Sequence, residues 1–289
     1  MAQNEWLKLK PPTAEDRYGM HRIMLTRIME SLAEASGDID ELVAIKARDL
    51  SGAWHYLDIA EIWAKARQPD KALEWAGRGL KAFPERTDNR LRDFLVGMYL
   101  KRKRHAEAVH LTWIQFEEQP SLEQFQKLHK VASKLGCWPE QRERALAKLA
   151  EAAPPAIGYP HQRKPAAPAP DRSLRLSIAL WEGDLDAAWE VAQQGKCTPN
   201  LLIALAGKLA SERPDDAIEL YRKVVPPIVE QTNNAAYEEA ITLIRKTGTL
   251  LKSQKMSARF ADYLSELRAQ FKPKRNFIKL LDGVIRAST

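Results

Sequence analysis

The sequence predicts an all-α protein in which pairs of antiparallel helices repeat along the chain and stack side by side. Two stretches align at an offset of 36 residues, as from Pro84 to Pro120, with apolar residues at helical spacing in each. Strand-like alternation of apolar and polar residues is absent from the 289-residue chain. Helix pairs of this kind cannot bury their apolar faces alone, so neighbouring pairs must stack on one another.

Two helices are predicted before the first aligned stretch. Thr13 and Asp16 provide a helix start, and periodicity continues to a stop near Gly37. The apolar face predicted for this helix comprises Met20, Ile23, Met24, Ile28 and Leu32. A second helix is predicted over 39–49.

The aligned stretches have the spacing of tetratricopeptide repeats, with large residues on the first helix and small residues where the two helices cross. The first copy places its packing residues at Tyr56, Ile59, Ala60, Trp63, Ala72, Ala76, Gly79 and Leu80. The second copy matches in part, with Leu95, Val96, Tyr99 and Ala108, whereas Arg92 and Thr112 replace expected large side chains. A third pair is predicted to begin at Ser121, to turn at Gly136 and to continue over 139–150.

Six prolines between residues 152 and 170 exclude a helix there and predict a linker or surface loop. We therefore expect three parts: N-terminal repeats over 1–151, the linker over 152–170, and C-terminal helical repeats with a basic end over 171–289. In the C-terminal part, Leu174, Ile178, Leu180 and Trp181 are predicted to face inward. Further helices are predicted over 201–209, 217–224, 238–251, 259–271 and 276–284.

Several short strings resemble the helical C-terminal region of bacterial SWIM zinc-finger proteins. They include Ala72–Ala76, Gly79–Pro84, Gln119–Glu123, Leu180–Asp184, Thr232–Asn234 and Lys274–Phe277. The resemblance implies a helical scaffold that belongs to, or works with, such a protein. The metal motif of that family, Cys-x-Cys followed by Cys-x-His, is absent, because Cys137 and Cys197 have no Cys or His two places away. The zinc function is therefore not expected of this chain.

Candidate catalytic and metal-binding patterns are weak, so we predict neither an enzyme nor a cofactor. Asp215, Asp216 and Glu219 have the D-D-x-x-E spacing that holds magnesium in some α-helical enzymes, but they follow Pro214 at a predicted helix start, where acids favour the helix dipole. His105 and His110 are five residues apart and do not share a helix face. Phosphate-binding and nucleophile motifs are absent.

Among the tryptophans, Trp63 and Trp181 fall at packing positions and are predicted to be in the core. Trp6 and Trp138 lie outside the periodic pattern, so one of them is a candidate exposed anchor for a partner.

Basic residues concentrate in two places. Between residues 245 and 279 there are ten Lys and Arg against two acids, and the whole chain has a net charge of +7. Candidate polyanion contacts are Lys272, Lys274 and Arg275 in this region and Lys101, Arg102, Lys103 and Arg104 at a predicted turn. A solvated helix face remains the alternative interpretation.

These observations favour a non-catalytic scaffold that binds a protein or peptide in a groove of the repeats. The alternative is a nucleic-acid-associated module that uses the basic C-terminal surface. No run of 18 apolar residues is present, and residues 1–10 lack an apolar signal core, so we expect a cytoplasmic location without membrane contact. Two cysteines are too few for a disulfide framework.

Overall fold

A computed structural model describes residues 6, 19–84, 87–151 and 170–288. Within these residues the chain forms fifteen α-helices and no strand, and one isolated β-bridge joins Asp171 and Lys196. The helices are α1 (Met20–Ser36), α2 (Ile39–Lys46), α3 (Ala53–Lys65), α4 (Pro69–Ala82), α5 (Asn89–Lys101), α6 (His105–Glu118), α7 (Leu122–Lys134), α8 (Trp138–Glu151), α9 (Ser173–Glu182), α10 (Leu185–Gln194), α11 (Pro199–Leu209), α12 (Pro214–Val229), α13 (Asn234–Ser253), α14 (Ser257–Gln270) and α15 (Arg275–Ser288). The predicted all-α helical-repeat fold is confirmed.

The same turn connects the two helices of the pairs α3–α4, α5–α6 and α7–α8. Its left-handed residue is Arg67, Lys103 and Gly136 in turn, with φ of 57°, 58° and 72°. The residue after it donates its backbone N–H to a carbonyl five positions earlier: Gln68 to Trp63, Arg104 to Tyr99, and Cys137 to Ala132. These bonds satisfy carbonyls that the end of a helix leaves unpaired. The turns therefore set the register, which is 36 residues for the first step (67 to 103) and 33 for the second (103 to 136).

Small residues lie where α3 and α4 cross. Ala72 and Ala76 of α4 are completely buried. Gly79 of α4 approaches α3 so closely that an added Cβ would lie 2.6 Å from the Cβ of Tyr56. Only glycine fits this crossing without a shift of the helices, as the tetratricopeptide spacing predicts.

The α5–α6 pair replaces part of this apolar packing with polar contacts. Arg92, which takes the place of the tyrosine in the first copy, is 2% exposed. Its Nη1 and Nη2 donate to the two carboxylate oxygens of Glu118 at 2.6 and 2.9 Å. Gln115, which takes the place of the close-contact glycine, donates to Asp93 Oδ1 at 3.0 Å. This bidentate ion pair offsets part of the cost of burying the guanidinium, whose Nε has no hydrogen-bond partner among the described residues.

The buried face of α1 is not the predicted one. The helix ends at Gly37, which is left-handed, as predicted. The residues that pack inward, however, are Leu25, Met29 and Ala33. Four of the predicted core residues face outward instead: Met20 is 72% exposed, Met24 57%, Ile28 43% and Leu32 55%. The predicted start of this helix at Thr13 and Asp16 lies outside the described residues.

The chain divides into two compact units, Met1–Ala145 and Leu146–Thr289. The predicted linker over 152–170 lies outside the described residues except for Pro170, so its boundaries stay a prediction. The core of the second unit extends from Leu176 on α9 to Val284 on α15. Trp181 does not belong to that core: it is 38% exposed, and the prediction that it packs inward is wrong.

Candidate protein-binding surfaces

The basic segment Lys101–Arg104 spans the end of α5 and the turn to α6. Each of its two arginines is ion-paired: Arg102 pairs with Asp70, and Arg104 pairs with Glu107 at 2.8 Å. The hydrogen bond from Arg104 lowers the pKa of the Glu107 carboxyl. The two lysines are exposed and form no ion pair among the described residues. Only half of this segment therefore presents an uncompensated charge to a partner.

The second basic segment lies between α14 and α15, where Pro273 interrupts the helices. Lys274 is half-buried, and its Nζ lies 3.2 Å from Glu230 Oε2 at the end of α12. Lys272 and Arg275 are exposed and have no ion-pair partner in the part of the chain that the structure describes. The structure brings the three predicted residues together, with two cations open to solvent.

An open cleft of about 470 Å³ lies between the N-terminal turns of α5 and α7. Both helix starts are fixed by side-chain caps: Asp88 accepts from the N–H of Arg90 at 2.8 Å, and Ser121 accepts from the N–H of Gln124 at 3.2 Å. The hydrogen bond from the Arg90 side chain lowers the pKa of Asp88. Residues lining the cleft are Asn89, Arg90, Asp93, Gln119, Pro120, Ser121, Glu123, Gln124 and Lys127.

Charges in this cleft are fixed by contacts between the two helices. Lys127 of α7 donates to Asp93 of α5 at 2.9 Å and lies 3.3 Å from Glu123. Burial opposes the charge of Lys127, but these two carboxylates outweigh it, and the pKa of the ammonium is raised. The cleft therefore contains ion-paired groups of both signs.

Gln124 lines the same cleft, and its side chain contains a buried hydrogen-bond acceptor. Gln124 is 6% exposed, and its Oε1 has no hydrogen-bond partner among the described residues. A buried carbonyl oxygen without a partner costs free energy, so a rotation of the Gln124 side chain that brings this oxygen to the cleft and to a donor of a bound molecule would be favourable. Peptide backbone N–H groups are donors of the required kind.

A second cleft, of about 230 Å³, lies among α1, α2 and α3. Trp54 lines it and is 49% exposed, with its ring 3.6 Å from the ring of His55 between centroids. Trp6 also lines it but is buried, and the Arg48 guanidinium lies 4.4 Å from its ring centroid. The exposed aromatic residue of this region is thus Trp54, which sequence reasoning missed.

Neither predicted anchor tryptophan is an exposed residue. Trp6 is 6% exposed. Trp138 is half-buried and contacts the rings of Phe125 and His129 at centroid distances of 5.1 and 4.8 Å. The repeat alignment could have indicated that Trp54 is exposed. The residue 36 positions later is Arg90, and a charged residue is typical of a surface position.

The acidic D-D-x-x-E residues lie at the start of α12, where Asp215 and Asp216 occupy the first turn. Asp216 pairs with Arg213, and Asp215 lies 3.9 Å from Arg259. Among the described residues no group of three or more His, Cys, Asp or Glu side chains is placed to hold a metal ion.

Within the same residues, no helix combines the length and the apolar character needed to cross a bilayer.

The sequence matches no family model, and no curated protein is similar to it. Among solved structures, a tetratricopeptide repeat protein from Parabacteroides merdae ATCC 43184 is 12% identical, with 89% of this chain and 97% of that chain covered at a TM-score of 0.34. A chain in the structure of Naa15/Naa10 bound to HypK-THB is 14% identical, with 89% of this chain and 40% of that chain covered at a TM-score of 0.36. The fold assignment rests on the helices and repeated turns described above.

Proposed function

We propose that this chain is a non-catalytic helical-repeat scaffold that binds a segment of a partner protein in the cleft between α5 and α7. The observation that carries the proposal is the buried Oε1 of Gln124, a residue that lines a cleft with charged groups; this oxygen has no hydrogen-bond partner among the described residues. An extended peptide segment offers a backbone N–H to this oxygen. Its charged side chains meet Arg90, Asp93, Glu123 and Lys127.

The variant Gln124→Leu tests this proposal, because it removes the acceptor and preserves most of the side-chain volume. Capture of partner proteins should fall at least tenfold, as measured by quantitative mass spectrometry of pull-downs. The free energy of unfolding should stay the same or rise, because an unsatisfied buried acceptor disappears. Gln126→Leu, on the same helix but not lining the cleft, is the matched control and should retain capture. Equal capture by the wild type and Gln124→Leu would overturn the proposal.

A second candidate function is contact with nucleic acid through the segment between α14 and α15. Lys272 and Arg275 are exposed and form no ion pair with any described residue, which favours this segment over the Lys101–Arg104 turn, where both arginines are paired. Reversal of Lys272, Lys274 and Arg275 to glutamate should abolish salt-dependent binding to generic DNA or RNA, because phosphate contacts make affinity fall steeply with salt. Retention of every partner by this variant at low salt would exclude the nucleic-acid function.

We further propose that the chain acts in the bacterial cytoplasm, as a part or a partner of a SWIM zinc-finger protein. The strings shared with the helical region of that family support the association, and the two free thiols, Cys137 and Cys197, suit a reducing compartment. The zinc ligands would be supplied by another segment or polypeptide. Elemental analysis of the captured complex should therefore detect zinc together with a Cys-x-Cys protein, and a zinc-free complex would contradict the association.

A further inference from the structure

An apolar stripe runs along the outer face of α1. It consists of Met20, Met24, Ile28 and Leu32, which are 72%, 57%, 43% and 55% exposed. Because residues four apart lie on one face of a helix, these side chains form a continuous row over most of the 17-residue helix. Single exposed apolar residues are ordinary on a protein surface, but a row of four marks an interaction surface.

The α1 stripe lies on the first helix of the described stack. The inward face of α1, with Leu25, Met29 and Ala33, is already packed, and its main helical neighbour is α2. Outermost helices of repeat proteins normally carry a polar outer face, because no further helix covers them. The apolar outer face of α1 is therefore suited to pack against one more helix.

The charges of α1 indicate which helix this is. The N-terminal half carries His21, Arg22 and Arg27; the C-terminal half carries Glu34 and also Glu30, which is already paired with Lys46 of α2 at 3.1 Å. Helical geometry places Arg27 and Glu34 along the same flank of the stripe. Both are exposed, and neither forms an ion pair with a described residue. A flank with Arg27 in its first half and Glu34 in its second half is complementary to the same flank of a second copy in the antiparallel direction.

We propose that the chain forms a dimer in which the α1 stripes of two copies pack antiparallel against each other. A two-fold axis between Ile28 and Leu32 brings Arg27 of one copy opposite Glu34 of the partner subunit, and the symmetry repeats this pair. The parallel arrangement would place like charges together and is disfavoured. In the antiparallel arrangement the two helix dipoles point in opposite directions, which also stabilises the pair.

The first test is the oligomeric state of the full chain by sedimentation equilibrium. The wild type should dimerise, and Ile28→Glu should raise the dissociation constant at least tenfold, because a charge is buried in the apolar interface. Leu280→Glu is the matched control: Leu280 is also exposed, at 38%, but lies on α15. It should dimerise as the wild type does. A wild type that stays monomeric at its highest soluble concentration overturns the proposal, whether or not another protein binds α1.

The second test uses charges on exposed residues, so its variants should fold even if Ile28→Glu does not. Arg27→Glu and Glu34→Arg should each weaken the dimer about fivefold or more, because each places like charges opposite one another in two symmetric positions. The double variant restores complementarity and should restore the wild-type dissociation constant. A double variant as weak as the single ones would contradict the antiparallel arrangement.

Discussion

Replacement of Gly79 by alanine probes how closely the helices of the first repeat pack. The added Cβ would lie 2.6 Å from the Cβ of Tyr56, 2.9 Å from its Cγ, and 2.9 Å from Leu91 Cδ2. Cβ contacts below 3.0 Å essentially never occur. The Cβ of Tyr56 is bonded to the backbone of α3, so it cannot rotate away. The variant therefore forces α3 and α4 apart.

The expected loss of stability follows from two opposing effects. Overpacking of a tight core costs about 1–3 kcal/mol. Replacement of a mid-helix glycine by alanine stabilises a helix by about 0.5–1 kcal/mol. The net effect of Gly79→Ala is a destabilisation of about 0–2.5 kcal/mol, with a midpoint of about 1 kcal/mol. Gly77 is two residues away in α4 and has no atom within 4 Å of an added Cβ, so Gly77→Ala should stabilise by about 0.5–1 kcal/mol.

Urea denaturation followed by circular dichroism measures both variants against the wild type. The signs should be opposite, with the unfolding midpoint lower for Gly79→Ala and higher for Gly77→Ala. Equal stability of Gly79→Ala and Gly77→Ala would contradict the close approach of α3 and α4 at Gly79.

Three further predictions address packing, pH and thiol reactivity. Ala108 is completely buried in α6, so Ala108→Leu should cost about 1–3 kcal/mol, and an unchanged melting temperature would indicate a wrong register for the second repeat. The hydrogen bond from Arg90 lowers the pKa of the Asp88 carboxyl below its usual 3.8. The ionised carboxylate therefore stabilises the fold above pH 3.8, and this stabilisation is lost as the pH falls through the lowered pKa. Asp88→Asn keeps a capping oxygen and should lose less stability than the wild type on acidification, as followed by circular dichroism; an equal loss would rule out the charge effect. Burial raises the pKa of the Cys197 thiol, whereas Cys137 is half-buried, so mass spectrometry should find Cys137 modified first by a thiol reagent, and equal rates would contradict the placement of Cys197.

The repeat register could be predicted from sequence because its residues are constrained by contact. Gly79 and Ala72 lie where two helices cross closely and only small residues fit. The spacing of such small residues can be recognised in a single sequence. The polar second repeat was harder to interpret, because Arg92 is acceptable in the core only through its pairing with Glu118, 26 residues away. A single sequence does not show that pairing.

The buried face of α1 could not be chosen from its periodicity. The row of Met24 and Ile28 and the row of Leu25 and Met29 both have helical spacing. Packing in a cluster with Trp6, with α2 and with Ile62 of α3 selects the second row. The candidate cleft was also beyond sequence reasoning. Ser121 and Gln124 were recognisable as a helix start, but the burial of the Gln124 Oε1 without a partner among the described residues, and the cleft that Gln124 lines, are properties of the folded chain.

Site-specific photo-crosslinking tests most directly whether the cleft between α5 and α7 binds the partner. A photoreactive amino acid at Glu123 lies at this cleft, and the same amino acid at Glu143 lies on the exposed surface of α8 as a control. We predict that a partner protein crosslinks efficiently at position 123, that Gln124→Leu abolishes this crosslink, and that position 143 gives none. Equal crosslinking at both positions, or a crosslink at 123 that persists in Gln124→Leu, would contradict the proposed binding surface.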